Sequence, residues 1–285
     1  MELSVYGHTG FVGNEFIQSG TEPGDTLWLP PRYSRRPNPY KKTDMVYFIS
    51  TTHNYHVFTD PTEDVRTNLL VLTETLDSWK RNNPEGTFNF ISSWFVYGQR
   101  HGFERSGKTG EDEDCRPTGF YSITKRCAEQ LIESFCQTHG MNYRILRLCN
   151  ILGPGDRGVS AQKNALQYLI NEMKENRPIS IYGTGEFTRT YMDVQDCAAA
   201  IRLVIERGNL NEIYNIGVEP SQTFISLIRL AHAMLESKSE IKFIEPKKFH
   251  KQVQVENFDM NCSKLRSLGF EPKHSIISTM SRLCK

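Results

Sequence analysis

Near its start the chain carries a strand-like segment, residues 2–6, that runs straight into Gly7-His8-Thr9-Gly10-Phe11-Val12-Gly13, and helical spacing follows over residues 11–18. A G-x-x-G-x-x-G turn between a strand and a helix constrains the fold more than any other feature of this sequence. Its glycines permit a tight turn and close approach of another group, while the helix N-terminus presents unpaired N–H groups and a partial positive charge. The turn suits a dinucleotide pyrophosphate, with Phe11 and Val12 opening the helix beside it. A purely structural strand-to-helix turn is the alternative reading.

Beyond the turn, strand-like and helix-like segments alternate, which predicts an α/β fold: a Rossmann-type, doubly wound parallel sheet with crossover helices. Strands are expected at residues 26–29, 45–50, 87–92 and 143–148, and helices at 65–79 and 121–136. After Gly153-Pro154-Gly155 the punctuation changes, and a smaller C-terminal α/β region is expected, with helices at 165–173, 194–206 and 221–235 and strands at 179–182, 189–192 and 212–216. The expected division is 1–157 for the dinucleotide-binding domain, with 193–217 returning to it, and 158–285 for the substrate domain.

Composition narrows the class of protein. In 285 residues, 34 Lys and Arg face 33 Asp and Glu for a formal charge of +1, and mean hydropathy is −0.50. Nothing in that balance calls for nucleic acid or an anionic membrane as partner. No apolar run approaches the roughly 20 residues that span a bilayer, and no signal sequence precedes the first strand, so the expected location is the cytoplasm. The seven cysteines include no C-x-x-C pair, and His53 and His56, three residues apart, have no second ligand pair behind them. No metal site is expected.

The second strand ends where an acidic residue would bind the ribose 2′-hydroxyl of NAD, and the chain has none there. It has Arg32, Arg35 and Arg36, whose guanidinium forks match the 2′-phosphate of NADP. NADP(H) is therefore the expected cofactor and NAD(H) the alternative; a solvated basic loop is the competing explanation. Further along, Tyr121 and Lys125 stand at i and i+4 of a predicted helix, so both side chains leave one face. An ammonium close to a phenol favours the phenolate, so Lys125 is expected to bring Tyr121 toward working pH as a general acid or base. Ser93, at the end of the strand 87–92, is placed to hydrogen-bond the same substrate oxygen.

Together these residues resemble the extended short-chain dehydrogenase/reductases, the nucleotide-sugar epimerase/dehydratase family. The resemblance rests on the Gly7/Gly10/Gly13 turn, Ser92 to Gly98, the Tyr121/Lys125 pair, Arg147 to Gly155, Arg189 to Asp196, and the late Asn261 to Leu265 followed by Leu268 to Pro272. It implies NAD(P) in the first domain, a nucleotide-linked sugar in the second and chemistry in the crevice between them. By the same resemblance Ser93, Tyr121 and Lys125 are catalytic, Lys125 also holds the nicotinamide ribose, Asn150 lies at the nucleotide-sugar site and Arg189 meets the diphosphate. Family members often pair two helices in a homodimer, and residues 65–79 and 121–136 carry apolar stripes that fit one.

Four departures matter. Trp94 and Phe95 stand where sugar-nucleotide 4,6-dehydratases of the family carry an acidic pair, which argues against dehydration and leaves Trp94 as a substrate contact. Between Arg36 and Asp44 there is hardly room for a helix and strand, so the sheet is expected to be trimmed at that edge. Ser50-Thr51 replaces a small Ala-Ala pair near the nicotinamide end. The second diphosphate arginine is missing, with Lys247, Lys248 and Lys251 as substitutes. The reading is an NAD(P)-dependent oxidoreductase or epimerase of a nucleotide-activated sugar, leaning to 4-keto reduction, with a 4-epimerase that retains NAD as the alternative. A reductase of non-nucleotide carbonyls ranks lower. A non-catalytic dinucleotide-binding sensor or scaffold would need no tuned phenol.

Overall fold

A computed structural model describes residues 1–30, 43–82, 85–98, 107–253 and 257–285. From the N-terminus, β1 (Glu2–Tyr6) leads through the glycine turn into α1 (Phe11–Ser19), then β2 (Thr26–Trp28) and β3 (Asp44–Tyr47). A 3₁₀ turn, Asn54–Phe58, precedes a helical stretch made of α2 (Glu63–Val65), a π-helical turn (Arg66–Leu70) and α3 (Val71–Asn82). β4 (Thr87–Ser93) ends in another 3₁₀ turn, Trp94–Tyr97, and α4 (Phe120–His139) leads to β5 (Asn142–Leu148). Then come β6 (Asn150–Leu152), α5 (Ala165–Lys174), β7 (Ile179–Tyr182), β8 (Thr188–Asp193), α6 (Val194–Arg207) and β9 (Glu212–Ile216). The chain closes with β10 (Val218–Thr223), α7 (Phe224–Met234), β11 (Ile241–Ile244), α8 (Lys248–Val253), α9 (Ser263–Ser267) and α10 (Ile276–Cys284).

Six strands form one parallel sheet in the order β2-β1-β3-β4-β5-β9. Parallel strands are covered on both faces, so they read as continuous apolar runs, and all of β4 is buried. Successive residues point to opposite faces. Leu3, Val5, Val46, Ile91 and Leu146 pack on Phe16 of α1 and on Ala198, Ile201 and Val204 of α6. Met45, Tyr47, Phe88, Phe90 and Ile145 pack on Leu72, Leu76 and Trp79 of α3 and on Ala128 and Ile132 of α4. The strand order reverses at β1, between β2 and β3, and ligand crevices in such sheets form at that point beyond the carboxyl ends of the strands. Among the described residues β2 and β9 are the edge strands, β2 on the side of the switch point. The segment in which trimming is expected falls mostly in residues 31–42, outside the described residues.

A smaller lobe holds the sheet β10-β8-β6 and the pair β11-β7, packed on α5, α7 and α10 around Leu166, Ile170, Ile181, Phe224, Ile228 and Met280. The helix expected over 221–235 begins only at Phe224. Residues 221–223 belong to β10 because Gln222 and Thr223 pair antiparallel with Arg189 and Thr188 of β8, and Thr223 caps the helix by accepting the Ser226 N–H.

A buried ion cluster ties α4 to the sheet. Glu129 Oε1 accepts from Ser92 Oγ of β4 at 2.5 Å and from Arg147 Nε of β5 at 3.0 Å, while Oε2 accepts from Arg147 Nη2 at 2.8 Å and from Arg126 Nη1 at 2.8 Å. Glu129 is fully buried, Arg147 is 1% exposed, and the Arg147 guanidinium also lies over the Tyr97 ring. Removing one partner of such a pair leaves the other charge uncompensated. Glu129→Leu is expected to cost roughly 3–5 kcal/mol, read as a lowered urea midpoint, with Glu129→Gln costing less.

Candidate active site

The glycine turn is shaped as its sequence requires. Gly7 has φ of +79°, and a Cβ there would come within 2.9 Å of Ile49 N; a Cβ on Gly13 would come within 2.4 Å of the Gly7 carbonyl oxygen. The Gly10 N–H donates to Gly7 O at 3.1 Å, and Gly10 caps α1 without a side chain, so no side chain takes up the amides of the first turn, where Phe11 and Val12 sit. Gly7 to Gly10, Leu29, Phe48 and Ser50 line a cleft of about 470 Å³. His8 Nδ1 is buried there with no hydrogen-bond partner among the described residues. Bare amides, apolar walls and an orphan ring nitrogen fit a pyrophosphate with an attached nucleoside. Ser50 donates to Asn68 Oδ1 at 3.1 Å, whereas the Thr51 side chain is turned inward onto Asp64 and Asn68, so of this pair Ser50 faces the cleft. Arg32, Arg35 and Arg36 lie outside the described residues.

Tyr121 stands in the first turn of α4 against the end of β4. Ser93 also accepts the Phe95 N–H at 3.3 Å. Burial pushes the Tyr121 phenol up to about 12, and the Asp64 carboxylate adds to the rise while a hydrogen bond with Ser93 opposes it. Lys125 donates to the Ile91 carbonyl at 2.6 Å and lies over the Phe90 ring. Burial lowers its ammonium to about 7, with Glu129 opposing. At neutral pH the phenol is therefore protonated and suited to give a proton rather than take one.

The smaller lobe presents the other wall. Asn150 pairs in register with Tyr191, which puts Asn150 and Arg189 on neighbouring strands β6 and β8, and Asn150 Nδ2 donates to Thr190 O at 3.1 Å. Arg189 donates to Thr188 O at 2.8 Å and lies between the Trp94 and Phe187 rings; burial lowers its guanidinium to about 10. Trp94 is only 2% exposed, its ring 4.3 Å from that of Phe95 and 4.7 Å from that of Phe258, with the Arg189 guanidinium over it. Of the lysines suggested for the missing arginine, Lys251 pairs with Glu245 in an exposed position. On α8, His250 hydrogen-bonds with Tyr55 Oη at 3.1 Å, has its ring 4.2 Å from that of Tyr182 and is held down to about 4 by burial and the Arg189 charge.

The sequence reading did not assign His53, His56, Asp64 or Asn68 to the site. Asp64 and Asn68 stand at i and i+4, the one available signal that they share a helix face with Thr67 turned aside. Asn68 Nδ2 donates to both Thr51 Oγ1 at 2.8 Å and Thr124 Oγ1 of α4 at 2.9 Å, joining the strand-end loop to the helix that carries Tyr121. Among the described residues no group of three His, Cys, Asp or Glu is arranged to hold a metal ion, and no helix is long and apolar enough to cross a membrane.

Burying Lys125 has a pH signature. The unfolded chain binds a proton on this amine below about 10 that the folded chain binds only below about 7, so this group makes stability rise with pH across that window. In Lys125→Met the rise is absent. The stability advantage of the variant over the wild type, from urea titrations, is expected to shrink steadily from pH 7 toward pH 10.

Residues 38–217 match the NAD dependent epimerase/dehydratase family model. The low-salt glycan biosynthesis protein Agl12 of Haloferax volcanii is 31% identical over 189 residues, 65% of this chain and 56% of that protein. GDP-6-deoxy-D-mannose reductase of Pseudomonas aeruginosa is 27% identical over 251 residues, 84% of this chain and 82% of that protein. The chain thus spans little more than half the length of the first relative and most of the second. The solved structure of RMD from Pseudomonas aeruginosa complexed with NADPH superimposes with a TM-score of 0.82 at 24% identity, covering 99% of this chain and 97% of that one, which shows a shared fold. With a family match over well over half of its length and a doubly wound parallel sheet, the chain belongs to the NAD dependent epimerase/dehydratase family.

Proposed function

We propose that this chain is an NAD(P)-dependent oxidoreductase of a nucleotide-activated sugar that reduces a 4-keto group, with Ser93, Tyr121 and Lys125 as its catalytic residues and NADP(H) as the preferred cofactor. The observation that carries the reading is the buried Tyr121, hydrogen-bonded with Ser93 at the end of β4. A bound nicotinamide dinucleotide supplies the hydride. Tyr121 gives its proton to the oxygen that becomes a hydroxyl, and Ser93 orients that oxygen with a second hydrogen bond. Lys125, partly protonated near neutral pH, has a donor to offer a ribose hydroxyl in exchange for the Ile91 carbonyl. Asn150 and Arg189 form the substrate wall, Arg189 with a partly desolvated fork suited to a diphosphate. The GDP-6-deoxy-D-mannose reductase relative and the NADPH bound in the RMD structure favour the same direction. A 4-epimerase would require Tyr121 to accept a proton as well as to give one.

With NADPH and a nucleotide-linked 4-keto-6-deoxy sugar, the protein is expected to consume NADPH at 340 nm. Tyr121→Phe is expected to lower kcat by roughly 10²- to 10⁴-fold while NADPH binding, followed by fluorescence, stays close to wild type. Equal turnover in the variant would remove the catalytic role.

We also propose a homodimer through the adjacent helical segments around α2 and α4, where Val65, Leu70, Phe120 and Ile123 are all more than 40% exposed. Exposed apolar residues concentrated in this way mark association surfaces. Light scattering is expected to give twice the chain mass, and Leu70→Glu with Ile123→Glu to give a monomer.

A further inference from the structure

A second set of titratable side chains gathers around the turn that packs on the start of α4, and plays no part in the reduction described above. His53 caps the 3₁₀ turn Asn54–Phe58 by accepting the Tyr55 N–H at Nδ1 (3.2 Å), and the His56 ring lies 4.1 Å from it. His56 Nδ1 is 3.3 Å from Asp64 Oδ1, which also accepts from Thr51 Oγ1 at 2.5 Å. Asp64 is fully buried, and its Oδ2 has no hydrogen-bond partner among the described residues. A carboxylate buried in this way is costly, and its one close basic partner among the described residues is the His56 imidazole.

This pair belongs to the Tyr121 site. The Asp64 charge is felt by the Tyr121 phenol, and the turn that carries His56 is packed on the start of α4 through Asn54, whose Oδ1 accepts the Ser122 N–H at 3.4 Å. A Cβ on Gly119 would sit 2.0 Å from that same Asn54 oxygen, so the two segments are in close contact. The groups that face His56 are Asp64 behind it and His53 beside it; Lys163, itself paired with Asp156 at 2.7 Å, acts on His53 from the start of the smaller lobe. The His56 side chain keeps 22% of its surface exposed while Asp64 keeps none. When Nδ1–H donates to Asp64, the free lone pair is on Nε2, the arrangement of an imidazole general base held by a carboxylate.

We propose that His56, oriented by Asp64, is a second acid–base group of this site and exchanges a proton on the sugar carbon next to the ketone that Tyr121 polarises. The C–H bond breaks and its proton passes to His56 Nε2. The electron pair forms a carbon–carbon double bond, and the carbonyl electrons move onto the oxygen, which Tyr121 and Ser93 hold by hydrogen bonds. Return of a proton to carbon reverses the step, so no oxidant or reductant is consumed. Trp94 and Phe95 carry no such group at the positions after Ser93, and the histidine turn supplies it instead. The proposal rests on the reading of the site as one for a nucleotide-linked keto sugar.

The test uses UDP-4-keto-6-deoxy-D-glucose in deuterium oxide with NADP⁺ present, so that no hydride is available, and follows deuterium uptake by mass spectrometry. Wild-type protein is expected to incorporate deuterium beside the ketone well above the uncatalysed rate. His56→Asn, which keeps a hydrogen bond to Asp64 without titrating, is expected to lower that rate by about 10²-fold or more, with folding checked by its thermal midpoint and by NADPH binding. Asp64→Asn, as a positioning change, is expected to lower kcat for exchange and leave KM unchanged. Wild-type protein that reduces the ketone with NADPH but takes up no deuterium would overturn the role of His56 and leave the reductase reading standing. Exchange in His56→Asn at the wild-type rate would overturn it as well. Neither reduction nor exchange would overturn both.

Discussion

The geometry of the crevice depends on the buried Glu129 carboxylate. Tyr121, Lys125 and Glu129 recur every four residues along α4, so they share one face of the helix, the face turned to β4. Glu129 is held at both oxygens by Ser92, Arg147 and Arg126, which leaves the helix one rotation about its axis and one height against the sheet. Ser93 follows Ser92 on the strand that Glu129 grips. A single ion cluster therefore fixes Ser93, Tyr121 and Lys125 in one frame. The cluster is a matter of specificity more than of net stability, because its desolvation cost offsets much of its attraction.

On the other side of Tyr121 the restraint is a network of side-chain hydrogen bonds around one buried carboxylate. Thr51, Asp64, Asn68 and Thr124 connect the loop after β3, the helical stretch from α2 into the π-helical turn, and α4. The polar stretch that replaces a small pair near the nicotinamide end is thus mostly satisfied within the protein, and what it leaves at the crevice is the His53–His56 pair. The common physical condition is dryness. Tyr121 is raised while Lys125, Arg189 and His250 are lowered, each chiefly by burial. In such surroundings a charge or dipole brought in by a ligand is felt strongly, since little water remains to screen it.

Much of this was legible before the fold was known. The alternation of strand and helix periods gave the doubly wound sheet, because parallel strands covered on both faces leave apolar runs that periodicity detects. The glycine turn, Ser93, and the Tyr121/Lys125 spacing follow from local geometry, and the last three residues of β10 were misread as helix because their pairing with β8 is non-local. The direction in which Lys125 points was not legible. Spacing places two side chains on one face, but only the packed strand beneath decides that the ammonium meets the Ile91 carbonyl instead of the phenol.

By itself the sequence determined the fold class and the place of the glycine turn at the first strand-to-helix junction, since strand and helix periods and the turn are each written within a few neighbouring residues. Tertiary structure alone decided the protonation states and the company of the Tyr121 phenol. Asp64 stands 57 residues before Tyr121, and His250 lies 61 residues after Arg189, yet each of these pairs is coupled through a low-dielectric crevice. Desolvation and long-range charge are properties of the packed interior, and no period or motif in the chain records them.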